Sequence, residues 1–381
     1  MNSSRWSLPI SAAWVFFIGS YATLALLIPR GLVQTTARDL LACTVPLFAN
    51  TCLLWNSATP FRRYNAFWKL LALGCTLFLA GMLVLMSHEL GQHPGGDAPL
   101  LAGILFFLHT VPFMAALALM PHLRKMGETL RYGLVDLTLL SILWLYIYIF
   151  TTMPWKVALP NDDLFRSREI ATYVVENSVV VLGFAILFFR TKGNWRTVYG
   201  HIFGATSVYL VGVMYASRYV THGQALSGSI VRLLILTSFV WLGTTGLLAH
   251  GLKLEPNALD PAAPRDTQWP TRCAMVGVIA LPFLAAWTAF VSEAPLAVRN
   301  FRLLVTLVAL ILGASLVFVR QHLVYLERTS LVHELYNSLQ NVKRLQTHFV
   351  QSEKRQNSSI CANTRERIHE WARPMFARSS R

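Results

Sequence analysis

Four polar or ionisable residues within apolar stretches are the side chains of this sequence best suited to chemistry. Glu176 and Asn177 interrupt one stretch, Arg232 lies in the first turns of another, and His109 lies in the middle of a third. Charged groups in lipid-embedded helices are costly, so each is a functional candidate. Glu176, Asn177, Arg232 and His109 are therefore candidate residues for binding a ligand in a cavity open to the outside of the membrane.

The same side chains also allow a structural interpretation. Glu176 and Arg232 can form an ion pair within a helix bundle, or each can extend to the membrane surface, and His109 can be a hydrogen-bonded bundle histidine. The sequence alone leaves both interpretations open. It contains no HExxH and no GxSxG motif, and its five cysteines form no CxxC pair. We therefore predict no metal, no cofactor and no catalytic residue within the membrane.

The composition indicates a membrane protein. Of the 381 residues, 54% are hydrophobic and 13% are charged, whereas soluble domains carry about 25% charged residues. The formal net charge is +15, but the basic residues are spread over short gaps between apolar runs, as a multi-pass protein needs for its orientation. The predicted partner is therefore the lipid bilayer and not nucleic acid.

Hydropathy predicts an all-α fold, a polytopic membrane helical bundle that occupies residues 1–319. A membrane-spanning helix needs about 20 mainly apolar residues. Ten segments qualify, and the second is the shortest and weakest. The predicted spans are residues 10–28, 40–55, 68–86, 99–120, 133–153, 170–189, 198–217, 228–249, 273–291 and 301–319.

The distribution of Lys and Arg predicts the orientation. These residues are more frequent in the segments that are cytoplasmic if the N-terminus is cytoplasmic, and the segment after residue 319 holds more basic than acidic residues. With ten spans both termini lie on the same side. We therefore predict a multi-pass protein of the inner (plasma) membrane with both termini in the cytoplasm.

Residues 320–354 read as a helix that leaves the last span without a break. The segment contains no Gly and no Pro, and its apolar residues recur at heptad spacing. This pattern predicts a cytoplasmic coiled-coil helix that forms a homodimer, although a solvated helix on the membrane surface is the alternative. The predicted seam consists of Leu331, Leu335, Val342, Leu345 and Phe349.

Two phrases in this helix carry a family resemblance. Leu335-Tyr-Asn-Ser-Leu339 and Phe349-Val-Gln-Ser-Glu-Lys354 resemble the signalling helix of bacterial membrane sensor histidine kinases. Similar helices also precede cyclic-dinucleotide synthase domains. The resemblance implies a membrane sensor module that passes a conformational signal through a dimeric helix. A response regulator is an implied partner only where an output domain exists.

The sequence after Lys354 departs from that family. Residues 355–381 are polar, basic and aperiodic, and we expect a disordered tail. His369 and Glu370, followed by Pro374, echo the phosphoacceptor box, with Arg373 where the family commonly has Asn. His369 is thus a weak phosphoacceptor candidate. Because the sequence holds no ATP-binding domain, we expect a sensor truncated before its output domain and inactive as a kinase.

A protein of another class is the alternative. A ten-span small-solute transporter with a cytoplasmic tail would use the same intramembrane residues, Glu176 and Arg232, in its substrate path.

Overall fold

A computed structural model describes residues 19, 20, 23, 32–57, 62–91, 99–119, 131–221, 230–252, 254 and 269–377. All regular structure among these residues is helical. The helices are α1 Leu32–Ser57, α2 Arg62–Gly91, α3 Leu100–Leu108, α4 Val111–Leu119, α5 Arg131–Thr152, α6 Asp162–Arg190, α7 Asn194–Thr221, α8 Ile230–Gly251, α9 Trp269–Phe290 and α10 Leu296–Ala377, with a π-helical turn at Pro154–Ala158 after α5.

Eight helical segments of the described chain are long and apolar enough to cross a membrane. They coincide with the predicted spans two to eight and ten. The first predicted span, residues 10–28, lies outside the described residues apart from three helical positions. The ninth falls on α9, whose apolar segment Ile279–Phe290 is shorter. The weak second span is part of the 26-residue helix α1.

The helices of the bundle pack around a common centre. α1 packs against α2 and α8, α8 against α7, and α7 against α6, while α2 packs against the short helices α3 and α4 and α4 contacts α6. Large side chains such as Trp68, Phe107, Phe184 and Trp195 are fully buried between them. The ring of helices therefore encloses a continuous core.

The chain divides into two compact units, Met1–Val317 and Phe318–Arg381. In the first unit, the start of α10 is attached to α5 by polar contacts. The Tyr146 and Thr306 hydroxyls lie 3.1 Å apart, and Arg302 Nε donates to the Phe150 carbonyl over 3.3 Å. The Arg302 guanidinium also stacks over the Phe150 ring. The last apolar helix is thus coupled directly to α5.

In the second unit the helix continues without interruption to Ala377. Residues 355–377 are helical, where the sequence analysis expects a disordered tail from residue 355. No Gly or Pro interrupts the segment between Arg355 and Arg373, so no breaker ends the helix there. His369 belongs to this segment, and its side chain lies outside the described part of the structure.

Candidate functional site in the centre of the helix bundle

The fourth predicted span is a helix broken at its centre. α3 ends at Leu108 and α4 begins at Val111, so His109 and Thr110 form a turn in the middle of the span Leu100–Leu119. Pro112 explains the break, because it has no N–H to donate to the Leu108 carbonyl and its ring clashes with that group. Interrupted backbone within a membrane is tolerated only where it is buried in protein or lines a cavity.

A close helix–helix contact covers this break from one side. Gly74 of α2 packs against it so tightly that a Cβ atom on Gly74 would lie 2.7 Å from the carbonyl oxygen of His109. No other residue type fits at this position without a shift of the backbone. Because Gly74 has no side chain, α2 can pack directly against the break between α3 and α4.

A small cavity lies beside the break. Its volume is about 30 Å³, which is room for about two water molecules. Its polar lining comes from the break and from three neighbouring helices, whereas its remaining walls are apolar. The polar lining residues are His109, Thr110, Asn177, Thr206, Tyr209 and Ser238.

Glu176 lies next to this cavity, one helical turn from the lining residue Val180. Its side chain is fully buried, and neither carboxyl oxygen has a hydrogen-bond partner among the described residues. The Thr110 hydroxyl is close enough to interact with the carboxyl, but it donates its proton to the Phe107 carbonyl over 3.3 Å. Among the described residues the Glu176 carboxyl thus has one neighbouring hydroxyl and no counter-charge.

The residue at which α6 begins determines how far along the helix Glu176 lies. Asn161 caps the helix, since its side chain accepts a hydrogen bond of 3.0 Å from Leu164 N, and Asp162 and Asp163 occupy the first turn, where negative charge is favourable. α6 therefore begins at Asp162 and not near residue 170. Glu176 is the central residue of this 29-residue helix, whereas the predicted span 170–189 places it near the start of the helix.

His109 is buried at the break. Its Nδ1 contacts the Phe106 carbonyl, and because a carbonyl can only accept, Nδ1 carries the proton and leaves Nε2 as the unprotonated nitrogen of the neutral ring. The Phe78 and Tyr209 rings flank the imidazole, with centroids 5.3 and 5.2 Å away. The expectation of a hydrogen-bonded bundle histidine and that of a cavity-lining residue both describe His109.

Arg232 does not belong to this site. Its guanidinium forms an ion pair with Asp39 of α1, so its partner is not Glu176. The structure thus brings together His109, Asn177 and Glu176. Arg232 pairs with Asp39 and does not line the cavity. Asp39 directly precedes the second predicted span, so a counter-charge for Arg232 at the end of a neighbouring helix was visible in the sequence.

A second carboxyl on α6, that of the partly buried Glu169, provides a contrast. Glu169 accepts a hydrogen bond of 2.9 Å from the Tyr148 hydroxyl of α5, and the nearby Tyr173 hydroxyl donates to the Gly103 carbonyl over 2.6 Å. Glu169 is therefore a partnered carboxyl on the helix that also carries the unpartnered Glu176.

Within the described ranges, no group of three or more His, Cys, Asp or Glu side chains could hold a metal ion. The fold and the site define a class only, an all-helical membrane protein with a polar centre. No family model matches this chain, and neither the curated proteins nor the solved structures contain a significant match to it.

Proposed function

We propose that this chain is the membrane signal-sensing module of a two-component-type sensor, in which a ten-span bundle passes a conformational change through a dimeric helix to an output domain. The observation that carries the proposal is α10. This single helix begins with an apolar, membrane-spanning segment and continues as a polar helix with an exposed apolar seam. In this proposal the module lies in the inner membrane, with both termini in the cytoplasm.

The seam is the reason to propose a dimer. The side chains of Leu331, Leu335, Val342, Leu345 and Phe349 are each more than half exposed in the single chain. Burial of such a side chain stabilises an association by about 1.5–3 kcal/mol, and heptad spacing places all five on the face that a second copy would cover. The serines at the other two core positions, Ser338 and Ser352, limit the stability, which suits a helix pair that changes register.

A contiguous set of contacts supports the path of the signal. From the cavity, α6 leads to α5 through the hydroxyls of Thr172 and Thr151, which are 3.1 Å apart. From α5, the contact between Tyr146 and Thr306 leads to α10. A ligand that moves α6 can therefore move α10, provided that these elements have two arrangements. In this proposal His109, Asn177 and Glu176 sense the ligand, whereas Arg232 holds α8 on α1.

Cysteine cross-linking in membranes tests the dimer. The five native cysteines are first replaced by Ser or Ala, and Leu335→Cys is then compared with Gln340→Cys, which occupies the opposite face of the same helix. We expect oxidation to join two chains rapidly through position 335 and slowly through position 340. Equal rates at both positions, or no cross-linking at either, would contradict a parallel dimer.

A small-solute transporter is the second candidate function, and the broken helix favours it. In transporters, discontinuous helices build substrate and ion sites near the centre of the bilayer, and here the His109–Thr110 turn and Glu176 lie at the centres of their spans. Solute uptake into vesicles that Glu176→Gln abolishes would identify a transporter. Intact signalling to a fused output domain without uptake would identify the sensor.

A further inference from the structure

The Ser and Thr hydroxyl groups that line the central cavity offer it lone pairs and no protons. Thr206 donates to the Ile202 carbonyl over 2.9 Å, and Ser238 donates to the Ile235 carbonyl over 2.6 Å. Thr110 donates to the Phe107 carbonyl in the same way. A hydroxyl has one proton and two lone pairs, so each of these oxygens can only accept on its cavity side.

Two further lining residues also offer lone pairs. The amide nitrogen of Asn177 donates one of its two protons to the Tyr173 carbonyl over 2.8 Å, so this side chain keeps Oδ1 as an acceptor and one N–H as a donor. The neutral ring of His109, with its Nδ1 proton directed at Phe106, has an acceptor at Nε2. Tyr209 is the lining side chain that still has a hydroxyl proton to offer. Acceptors therefore outnumber donors around the cavity.

The ionisable group beside the cavity is also an acceptor, the carboxyl of Glu176. Glu176 is fully buried without a hydrogen-bond partner among the described residues, and the lining contains no Lys and no Arg. The guanidinium of Arg232 is engaged by Asp39. A buried carboxylate without a counter-charge is strongly unfavourable, so either a proton or a bound cation must neutralise Glu176.

The size of the cavity limits which cation can neutralise Glu176. A volume of about 30 Å³ has room for a desolvated alkali cation or about two waters. One carboxylate neutralises a monovalent ion, whereas a calcium site uses several charged oxygens. Interrupted helices in membrane proteins also build Na⁺ sites, and the turn at His109 and Thr110 lines this cavity.

We propose that the central cavity is a binding site for a desolvated monovalent metal cation of the size of Na⁺, with Glu176 as the counter-charge and the oxygens of Thr110, Asn177, Thr206 and Ser238 as ligands. The site stands apart from the signalling proposal, because a sensor can detect this ion and a transporter can move it. The cross-linking of α10 tests signalling alone, and the ion measurements below test the cavity alone.

Thermal unfolding of the purified full-length chain in detergent tests the site. The midpoint is measured in NaCl and in choline chloride at equal ionic strength, and ²²Na⁺ binding is measured directly. We expect Na⁺ to raise the midpoint in a saturable way and to bind with one ion per chain. Glu176→Gln should abolish both effects, whereas Glu169→Gln, which changes a partnered carboxyl on the same helix, should retain both.

A milder variant keeps the test decisive if Glu176→Gln does not fold. Thr206→Val removes one ligand oxygen at nearly constant volume, and we expect it to weaken the apparent Na⁺ affinity about fivefold, in line with the loss of one polar contact. The absence of a Na⁺ effect on the folded wild-type chain would overturn the proposal, as would an undiminished effect in Glu176→Gln. A stabilisation by acid in choline chloride that Na⁺ does not alter would also overturn it, because a proton would then neutralise Glu176.

Discussion

Two ionisable sites within this bundle differ in the presence of a charged partner. The carboxylate of Asp39 pairs with the guanidinium of Arg232, and these side chains are 6% and 13% exposed. The carboxyl of Glu176 is 0% exposed and has no hydrogen-bond partner among the described residues. A paired charge holds its surroundings together, whereas an unpaired one leaves a place for a ligand. The comparison separates a structural site from a proposed binding site.

Their positions along the helices agree with this division. Arg232 is the first residue of its apolar span, and Asp39 lies in the first turn of the span that begins at Thr36. The pair joins α8 to α1, which also approach closely at Gly246, where a Cβ atom would lie 3.0 Å from the backbone of Cys52. Glu176 instead lies at the centre of α6, where water cannot compensate for the missing partner.

Removal of the paired carboxylate should have the largest effect on stability. Asp39→Asn leaves the buried Arg232 guanidinium without its counter-charge, so we expect the free energy of unfolding to fall by about 2–3 kcal/mol. Chemical unfolding of the purified chain in detergent measures this difference.

A double variant is the control for this prediction. Replacement of both Asp39 and Arg232 by Leu and Met removes the charges together, and we expect much of the lost stability to return. A loss of less than about 0.5 kcal/mol for Asp39→Asn would be typical of a neutral surface change. The ion pair would then not stabilise the packing of α1 on α8, and Asp39 would not be a structural counterpart of Glu176.

A smaller loss is expected where α2 covers the broken helix beside the cavity. Gly74→Ala places a methyl group against the His109 carbonyl and the Phe113 ring, and overpacking of this kind costs about 1–3 kcal/mol. Gly91→Ala on the same helix is the matched control, because a Cβ atom there meets nothing within 4 Å.

Na⁺ binding is a second measurement for the same two variants. A displaced turn at His109 should also weaken Na⁺ binding in Gly74→Ala and leave it unchanged in Gly91→Ala. Equal stability of the two variants would show that the break is not held by this contact.

The fold was largely predictable from the sequence, because hydropathy reports directly on the environment of each helix. Eight of the predicted spans coincide with apolar helices of the described chain. The predicted sixth span, residues 170–189, begins later than α6, because apolar residues become frequent only after its first two turns. The chain also contains a capping signal, Asn161 followed by two acidic residues, that predicts a helix start at Asp162.

The site was only partly predictable. Glu176, Asn177 and His109 stood out because ionisable and amide groups are rare in apolar spans. Thr206 and Ser238 did not, since hydroxyl residues are ordinary in such helices and their role depends on which lone pairs face the cavity. The pairing of Arg232 with Asp39 required the packing of α8 on α1, a contact between positions far apart in sequence that hydropathy cannot report.

The smallest effect, and the one of opposite sign, is expected for the unpaired carboxyl. In choline chloride, Glu176→Gln replaces a buried carboxyl that has no charged partner to lose, so the free energy of unfolding should stay unchanged or rise by up to about 1 kcal/mol. Asp39→Asn, the same carboxyl-to-amide change at the paired site, is the matched comparison and should destabilise under identical conditions. A loss for Glu176→Gln as large as that for Asp39→Asn would mean that Glu176 is held by a partner even without Na⁺. Both carboxyl groups would then be structural, and the proposal that the cavity binds a cation would lose its main support.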